Sequence, residues 1–156
     1  MEKAATATHF DFNKLPALLD NLTENTIPAW GKMTAQHMLE HLGNTLVTVR
    51  SAKPLACITP EDKLPAYRQF LMSNKPFAQN IPNPFIGENP PALRFENLDA
   101  AKTKLQQALT GFDAFFAENP DATPVHPFFG NLNYPEWQQF QKKHFNHHFL
   151  QFGLLI

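Results

Sequence analysis

Proline decides where this chain can be helical. Inside a helix it removes a backbone donor and clashes with the preceding turn, so long proline-free windows mark where helices can run. The chain has 156 residues and 14 prolines, eight of them at positions 54, 60, 65, 76, 82, 84, 90 and 91. The long windows without proline are 29–53, 92–119 and 136–156. A shorter segment, 10–22, spaces Leu15, Leu18, Leu19 and Leu22 helically and carries Pro16 where a first turn tolerates it.

Each long window carries an apolar stripe. A second helix is predicted from an N-cap at Thr34 to about Arg50, with Met38, Leu42, Thr45 and Val49 on one face. The third follows a cap at Asn97 and aligns Leu98, Ala101, Leu105, Leu109, Phe112 and Phe116. The fourth opens at Asn133-Tyr134-Pro135-Glu136, a capping box with proline in the first turn, and aligns Trp137, Phe140, His144, His148, Gln151 and Leu155. Gly153 suits its C-cap. No stretch alternates apolar and polar residues as a strand would. The expectation is an all-α fold, a four-helix bundle formed by one domain over 1–156. Segment 52–96 is then a long proline-rich crossover between helices two and three, with a short helix near 63–72. A link of that length lets the two helices run parallel, and it serves either as a surface excursion or as a pocket wall.

Composition narrows the function. Charged residues make up 17% of the chain, below the roughly 25% of an average globular protein, which excludes disorder driven by charge. The formal net charge of −1 offers no footprint for nucleic acid or an anionic membrane. A single cysteine, Cys57, excludes an internal disulfide and a multi-cysteine zinc site, and its apolar setting in Leu55-Ala56-Cys57-Ile58 reads as an inert thiol. The start, Met1-Glu2-Lys3-Ala4, lacks an apolar signal core, and no apolar run reaches the about 18 residues of a membrane span. The expected location is the cytoplasm. Most of the 15 phenylalanines read as core, while the pairs 115/116 and 128/129, with Phe85 and Phe95, include candidates for lining an apolar pocket. The apolar end Leu154-Leu155-Ile156 tucks into the core or onto a partner, which leaves a homodimer open.

The seven histidines carry the chemical signal. His144 and His148 lie one helical turn and about 40° apart, so both can ligate one ion, with Gln151 close by. His147 is about 60° off His144 and less well aimed. On the second helix His41 sits about 60° from Met38, and His37 about 100° away, so His41 is the better inward candidate and His37 a rim residue. A third imidazole from a facing helix would complete a site with open positions, the catalytic rather than the structural arrangement. Such histidines also occur on solvated faces or as hydrogen-bonded core residues. His126, before a proline, is either a turn residue with a hydrogen-bonded ring or a group near the metal that supports a ligand or acts as general base. Glu40 lies about 100° round the helix from His41 and is expected to face solvent. Gln151 either hydrogen-bonds a ligating imidazole or completes packing. His9 has no assignment.

The run Trp30-Gly31-Lys32-Met33-Thr34-Ala35-Gln36-His37-Met38-Leu39-Glu40-His41-Leu42, with His144-x-x-x-His148-x-x-Gln151 near the end, resembles the DinB/YfiT-like superfamily. His126-Pro127-Phe128-Phe129-Gly130-Asn131-Leu132 is similar to a signature of an uncharacterised branch of it. The resemblance implies an up-down-down-up four-helix bundle with His41, His144 and His148 as metal ligands. The 52–96 excursion is longer than many members carry. The superfamily includes thiol-dependent transferases, isomerases and hydrolases, and the fold alone does not choose among them.

Two readings follow. One is a metal-dependent enzyme, a hydrolase or small-thiol transferase, whose three histidines hold Zn²⁺, Ni²⁺ or Fe²⁺ and act on a small, largely apolar substrate. The other is a non-enzymatic bundle that binds a metal or small molecule, or dimerises, with structural histidines.

Overall fold

Side chains cap the three longest helices and set where the chain turns helical there. The computed structural model describes residues 10–53, 55–81 and 89–155. Phe85 and Ile156, which carry expectations, and the unassigned His9 lie outside the described residues. Among the described residues the chain is mostly helical, with five α-helices and one tiny two-stranded hairpin.

Helix α1, Leu15–Asp20, follows a 3₁₀ turn at Phe12–Lys14 and carries its proline in the first turn. Helix α2, Ala35–Val47, continues as a 3₁₀ turn through Thr48–Arg50. Its capping box is closed by an unexpected residue: Thr34 Oγ1 accepts the His37 N–H at 3.2 Å, and the Thr34 N–H donates to His37 Nδ1 at 3.2 Å. His37 thus does what glutamate usually does at that position, which ties its ring to the helix end.

Helix α3, Leu64–Leu71, lies within the crossover where a short helix was expected. Helix α4, Leu98–Glu118, is capped by Asn97, whose side chain accepts the Ala100 N–H at 2.8 Å. Helix α5, Tyr134–Gln151, starts at the Asn133–Glu136 capping box. It stops earlier than the stripe through Leu155 suggested. Gly153 turns at φ +71°, and the Leu154 N–H bonds back to the Phe149 carbonyl at 2.8 Å, so the half-buried Leu154 and Leu155 fold back onto the core.

The expectation of no strands is corrected by the hairpin. Strands β1, Val125–His126, and β2, Gly130–Asn131, pair antiparallel with Val125 opposite Asn131 and His126 opposite Gly130. Two residues per strand are too few to show alternation in a sequence. Gly130 supplies the turn's positive φ of +77°.

Helix α2 packs chiefly against α4 and also against α5, and α3 packs on α5. The core joins Phe10, Leu15 and Leu19 to Met38, Leu42 and Leu46 of α2, Leu105, Phe112 and Phe116 of α4, and Trp137, Phe145 and Phe149 of α5. Gln141 is fully buried between α2 and α5, where its amide both accepts the Thr45 hydroxyl at 3.2 Å and donates to the Thr45 carbonyl at 3.3 Å. No described helix is long and apolar enough to cross a membrane.

Among the described residues the crossover forms no ladder of its own, and side chains tie it to the helices and the hairpin. Gln139 Nε2 donates to the Leu71 carbonyl at 3.0 Å, and Lys143 Nζ to the carbonyls of Ser73, at 2.9 Å, and Lys75. Arg68 donates to the Phe129 and Asn131 carbonyls of the hairpin, and the Thr59 hydroxyl to the Phe128 carbonyl at 2.7 Å.

The far end of the crossover reverses the expectation for Glu40. This residue is buried, at 7% exposure, and its carboxylate accepts the backbone N–H groups of Arg94, at 2.8 Å, and Phe95, at 3.0 Å. Gln36 Nε2 binds both that carboxylate, at 3.1 Å, and the Phe95 carbonyl, at 2.9 Å. A helical wheel cannot show that a distant loop covers the polar side of α2. Burial alone would raise the Glu40 pKa, but the Arg94 and Phe95 N–H groups, Gln36 and the Arg94 charge outweigh it, and the carboxyl titrates below its ordinary value.

Glu40→Ala leaves two N–H groups without their acceptor. It should cost about 2–4 kcal/mol, read as a lower urea midpoint, and expose the chain near Arg94 to limited proteolysis.

Candidate metal centre

The centre follows from two helices that present imidazoles across one interface. On α5, His144 and His148 stand one turn apart with both rings buried. Helix α2 brings His41 to meet them. The His41 and His144 Nε2 atoms are 2.9 Å apart, and those of His144 and His148 are 3.2 Å apart. These three form the described cluster able to hold a metal ion, with one ligand atom from each lying within 4.8 Å of the others.

The donor set is three nitrogens and no carboxylate. Imidazoles suit Zn²⁺, Ni²⁺ or Fe²⁺, whereas Ca²⁺ and Mg²⁺ demand oxygen. Two nitrogens about 2.0 Å from one tetrahedral ion lie about 3.3 Å apart. The His41–His144 and His144–His148 spacings are slightly tighter, and all three ligand atoms lie within 4.8 Å, so the set is close to what one ion requires.

The surroundings are aromatic. The Phe140 ring lies 5.1 Å from that of His144, and Phe77, from the crossover, lies 6.5 Å away. Lys143, which holds the Ser73 and Lys75 carbonyls, sits with Nζ 4.7 Å from the Phe70 ring and 5.9 Å from the Phe77 ring. Through Phe77 the crossover thus reaches the neighbourhood of His144.

The other expected residues separate from the cluster in different ways. Gln151 is buried beside it, with Oε1 2.6 Å from His148 Nδ1. His147 stays at the edge, half-buried between Trp30, at 5.4 Å, and Phe77, at 6.1 Å. His37 is occupied at the α2 cap. His126 is buried, but Phe140 stands between it and the cluster, 4.3 Å from the His126 ring. Its Nδ1 accepts the Phe128 N–H at 3.1 Å. Cys57 is half-buried, with Sγ 3.8 Å from the Thr59 carbonyl, and takes no part.

A sequence model of a family of proteins of unknown function, DUF1569, matches residues 65–153, more than half of the chain. The chain belongs to the DUF1569 family. That match takes in His126, His144, His148 and Gln151 but begins after His41, so the third imidazole comes from outside the matched region. Neither a curated protein nor a solved structure matches the chain.

Burial sets the charge of this DUF1569 protein's histidines. Loss of solvent pulls the His41 pKa down to about 4, helped by the nearby His147, and those of His126 and His148 to about 3. His144 is held well below its ordinary value by burial first and then by the neighbouring histidines. At neutral pH all four rings are uncharged, the form that donates a lone pair to a metal.

The unfolded chain, with ordinary histidine pKa values near 6.5, binds more protons than the folded chain below that pH. Stability should therefore fall as pH drops from about 6.5 toward 4, by about 1.4 kcal/mol per pH unit for each buried imidazole. Urea midpoints of metal-free protein at pH 7, 6 and 5 check this, and a flat profile would refute it.

Proposed function

We propose that this chain is a metal-binding protein of the DinB/YfiT-like superfamily, built as an up-down-down-up bundle. In this reading His41, His144 and His148 hold Zn²⁺, Ni²⁺ or Fe²⁺, and the protein acts as a hydrolase or small-thiol transferase on a small, largely apolar molecule. The observation that carries the reading is the convergence of three Nε2 atoms, from two helices, in a pocket that keeps them neutral. A bound ion of this kind would lower the pKa of a coordinated water or thiol and polarise an electrophile.

The chain's own residues prepare that chemistry. Phe140 and Phe77 keep water from His144, and Trp30 with His147 lines the neighbouring edge. Of the roles open to His126, its surroundings suit a hydrogen-bonded ring better than a base. Nδ1 already accepts the Phe128 N–H, which leaves the neutral ring's proton on Nε2, and burial resists a second proton.

The second reading, structural histidines in a non-enzymatic protein, draws support from one distance. The 2.9 Å between the His41 and His144 Nε2 atoms is also an ordinary hydrogen bond.

Titration of tag-free protein with Zn²⁺, Co²⁺ or Ni²⁺, followed by elemental analysis, separates a metal centre from purely structural histidines. One tightly held ion per chain is expected. His41→Ala, His144→Ala and His148→Ala should each lower zinc affinity at least about 100-fold, since each removes one of three ligands. His37→Ala should keep the ion while losing about 1 kcal/mol of stability with its half of the capping box. No uptake by the parent protein, or equal loss from His37→Ala and His41→Ala, would overturn the metal reading.

A further inference from the structure

His148 has two neutral forms, with the proton on Nδ1 or on Nε2, and only the first leaves the Nε2 lone pair for a metal. Gln151 alone does not decide between them, because an amide can turn either its oxygen or its nitrogen toward Nδ1. The deciding group lies about 120 residues earlier in the chain. Gln151 Nε2 donates to the Trp30 carbonyl at 2.8 Å. A backbone carbonyl only accepts, so the amide nitrogen must face it. Oε1 is thereby left against His148 Nδ1, at 2.6 Å, and that nitrogen must carry the proton.

The Trp30 carbonyl is held in place from three directions. The Ala29 N–H donates to the Gln151 carbonyl at 2.7 Å, which fixes the segment to the end of α5. The Trp30 ring packs edge-on against His147, with centroids 5.4 Å apart. Gly31 turns at φ +82°, and a Cβ built there would sit 2.9 Å from Gln151 Nε2. Any larger residue therefore both strains the backbone and pushes the amide off the carbonyl.

We infer that Trp30 and Gly31 are positioning residues of the centre: the Trp30 carbonyl, admitted by Gly31, orients Gln151 and so sets the tautomer that lets His148 ligate. The consequence for metal affinity rests on the metal-site reading proposed above; the tautomer itself does not.

The test reads the tautomer directly. In metal-free protein with ¹⁵N-labelled imidazoles, long-range proton–nitrogen spectra distinguish the two forms. In the parent protein His148 should be a single Nδ1–H tautomer. Gly31→Ala should give a mixture or the Nε2–H form and lower zinc affinity about 10–100-fold, the usual effect of losing a ligand's outer partner. Gly130→Ala is the control. Its φ of +77° imposes the same kind of backbone strain, but the added Cβ meets only Leu64, at 3.5 Å. It should leave both the tautomer and the affinity as they are. If Gly31→Ala does not fold, Gln151→Leu breaks the same relay without changing a loop residue and should give the same mixture. A folded Gly31→Ala that keeps the Nδ1–H signal, or a Gln151→Leu that does, overturns the inference. If the parent protein takes up no zinc while the tautomer changes as expected, the metal reading fails and the inference stands.

Discussion

Neutral imidazoles packed against one another, two of them buried and the third half-buried, constrain the rest of this structure. Burying one such ring is ordinary when its nitrogens are hydrogen-bonded; bringing three together concentrates polar atoms where few partners are available. The helices accommodate this in an unequal way. Helix α5 contributes two rings because residues four apart lie nearly above one another, while α2 contributes His41 from the turn that also carries the buried Glu40. The apolar stripe of α5 is thus interrupted by chemistry, with Phe140, His144 and His148 continuing the line begun by Trp137. That makes α5 both the core helix and the site helix.

The crossover is held to these helices in a way that connects stability to the site. A loop rich in proline cannot satisfy its own carbonyls with a ladder, and buried backbone groups need partners from elsewhere. Arg68, Gln139 and Lys143 provide donors, and Glu40 provides an acceptor at the other end. Lys143 directly precedes His144, and Glu40 directly precedes His41. The residues that fasten the crossover therefore alternate along the helices with those that form the centre. Adjacent residues on a helix point about 100° apart, so one turn can serve the crossover and the site at once.

What was legible in the sequence was local. Proline-free windows, the Asn97 and Asn133 caps and the stripe Leu98, Ala101, Leu105, Phe112 and Phe116 act within a few residues, and the helices start where those signals lie. The choice of His41 over His37 for the inward position also followed from one helix's geometry. The rest depended on long-range contacts. Glu40 is buried because residues 54 and 55 positions later donate to it. His37 looked like a rim residue, although its spacing from Thr34 was the signal of a capping box. Gly31 carries no role that its neighbours in sequence reveal, because the Gln151 amide that lies where its side chain would go comes from the far end of the chain.

The hydrogen bonds within the triad also bear on whether it is complete without an ion. With the His148 proton on Nδ1, its Nε2 is a bare lone pair facing His144 Nε2 at 3.2 Å. If His144 carries its proton on Nε2, that single N–H must be shared between His148 and His41, 2.9 Å away on the other side. If His144 carries it on Nδ1, His41 can donate to it, but two lone pairs then oppose one another at His148. Neither arrangement satisfies all three rings. A cation would, because it would accept all three lone pairs, with the ring proton of His144 then on Nδ1. That atom is the buried side-chain nitrogen with no hydrogen-bond partner among the described residues. An unpaired buried N–H costs about 1–3 kcal/mol, against about 10–16 kcal/mol for zinc held at a structural site. Even a catalytic site of much lower affinity would absorb that cost, so the orphaned nitrogen weighs less against an ion than the conflict among the three lone pairs weighs for one.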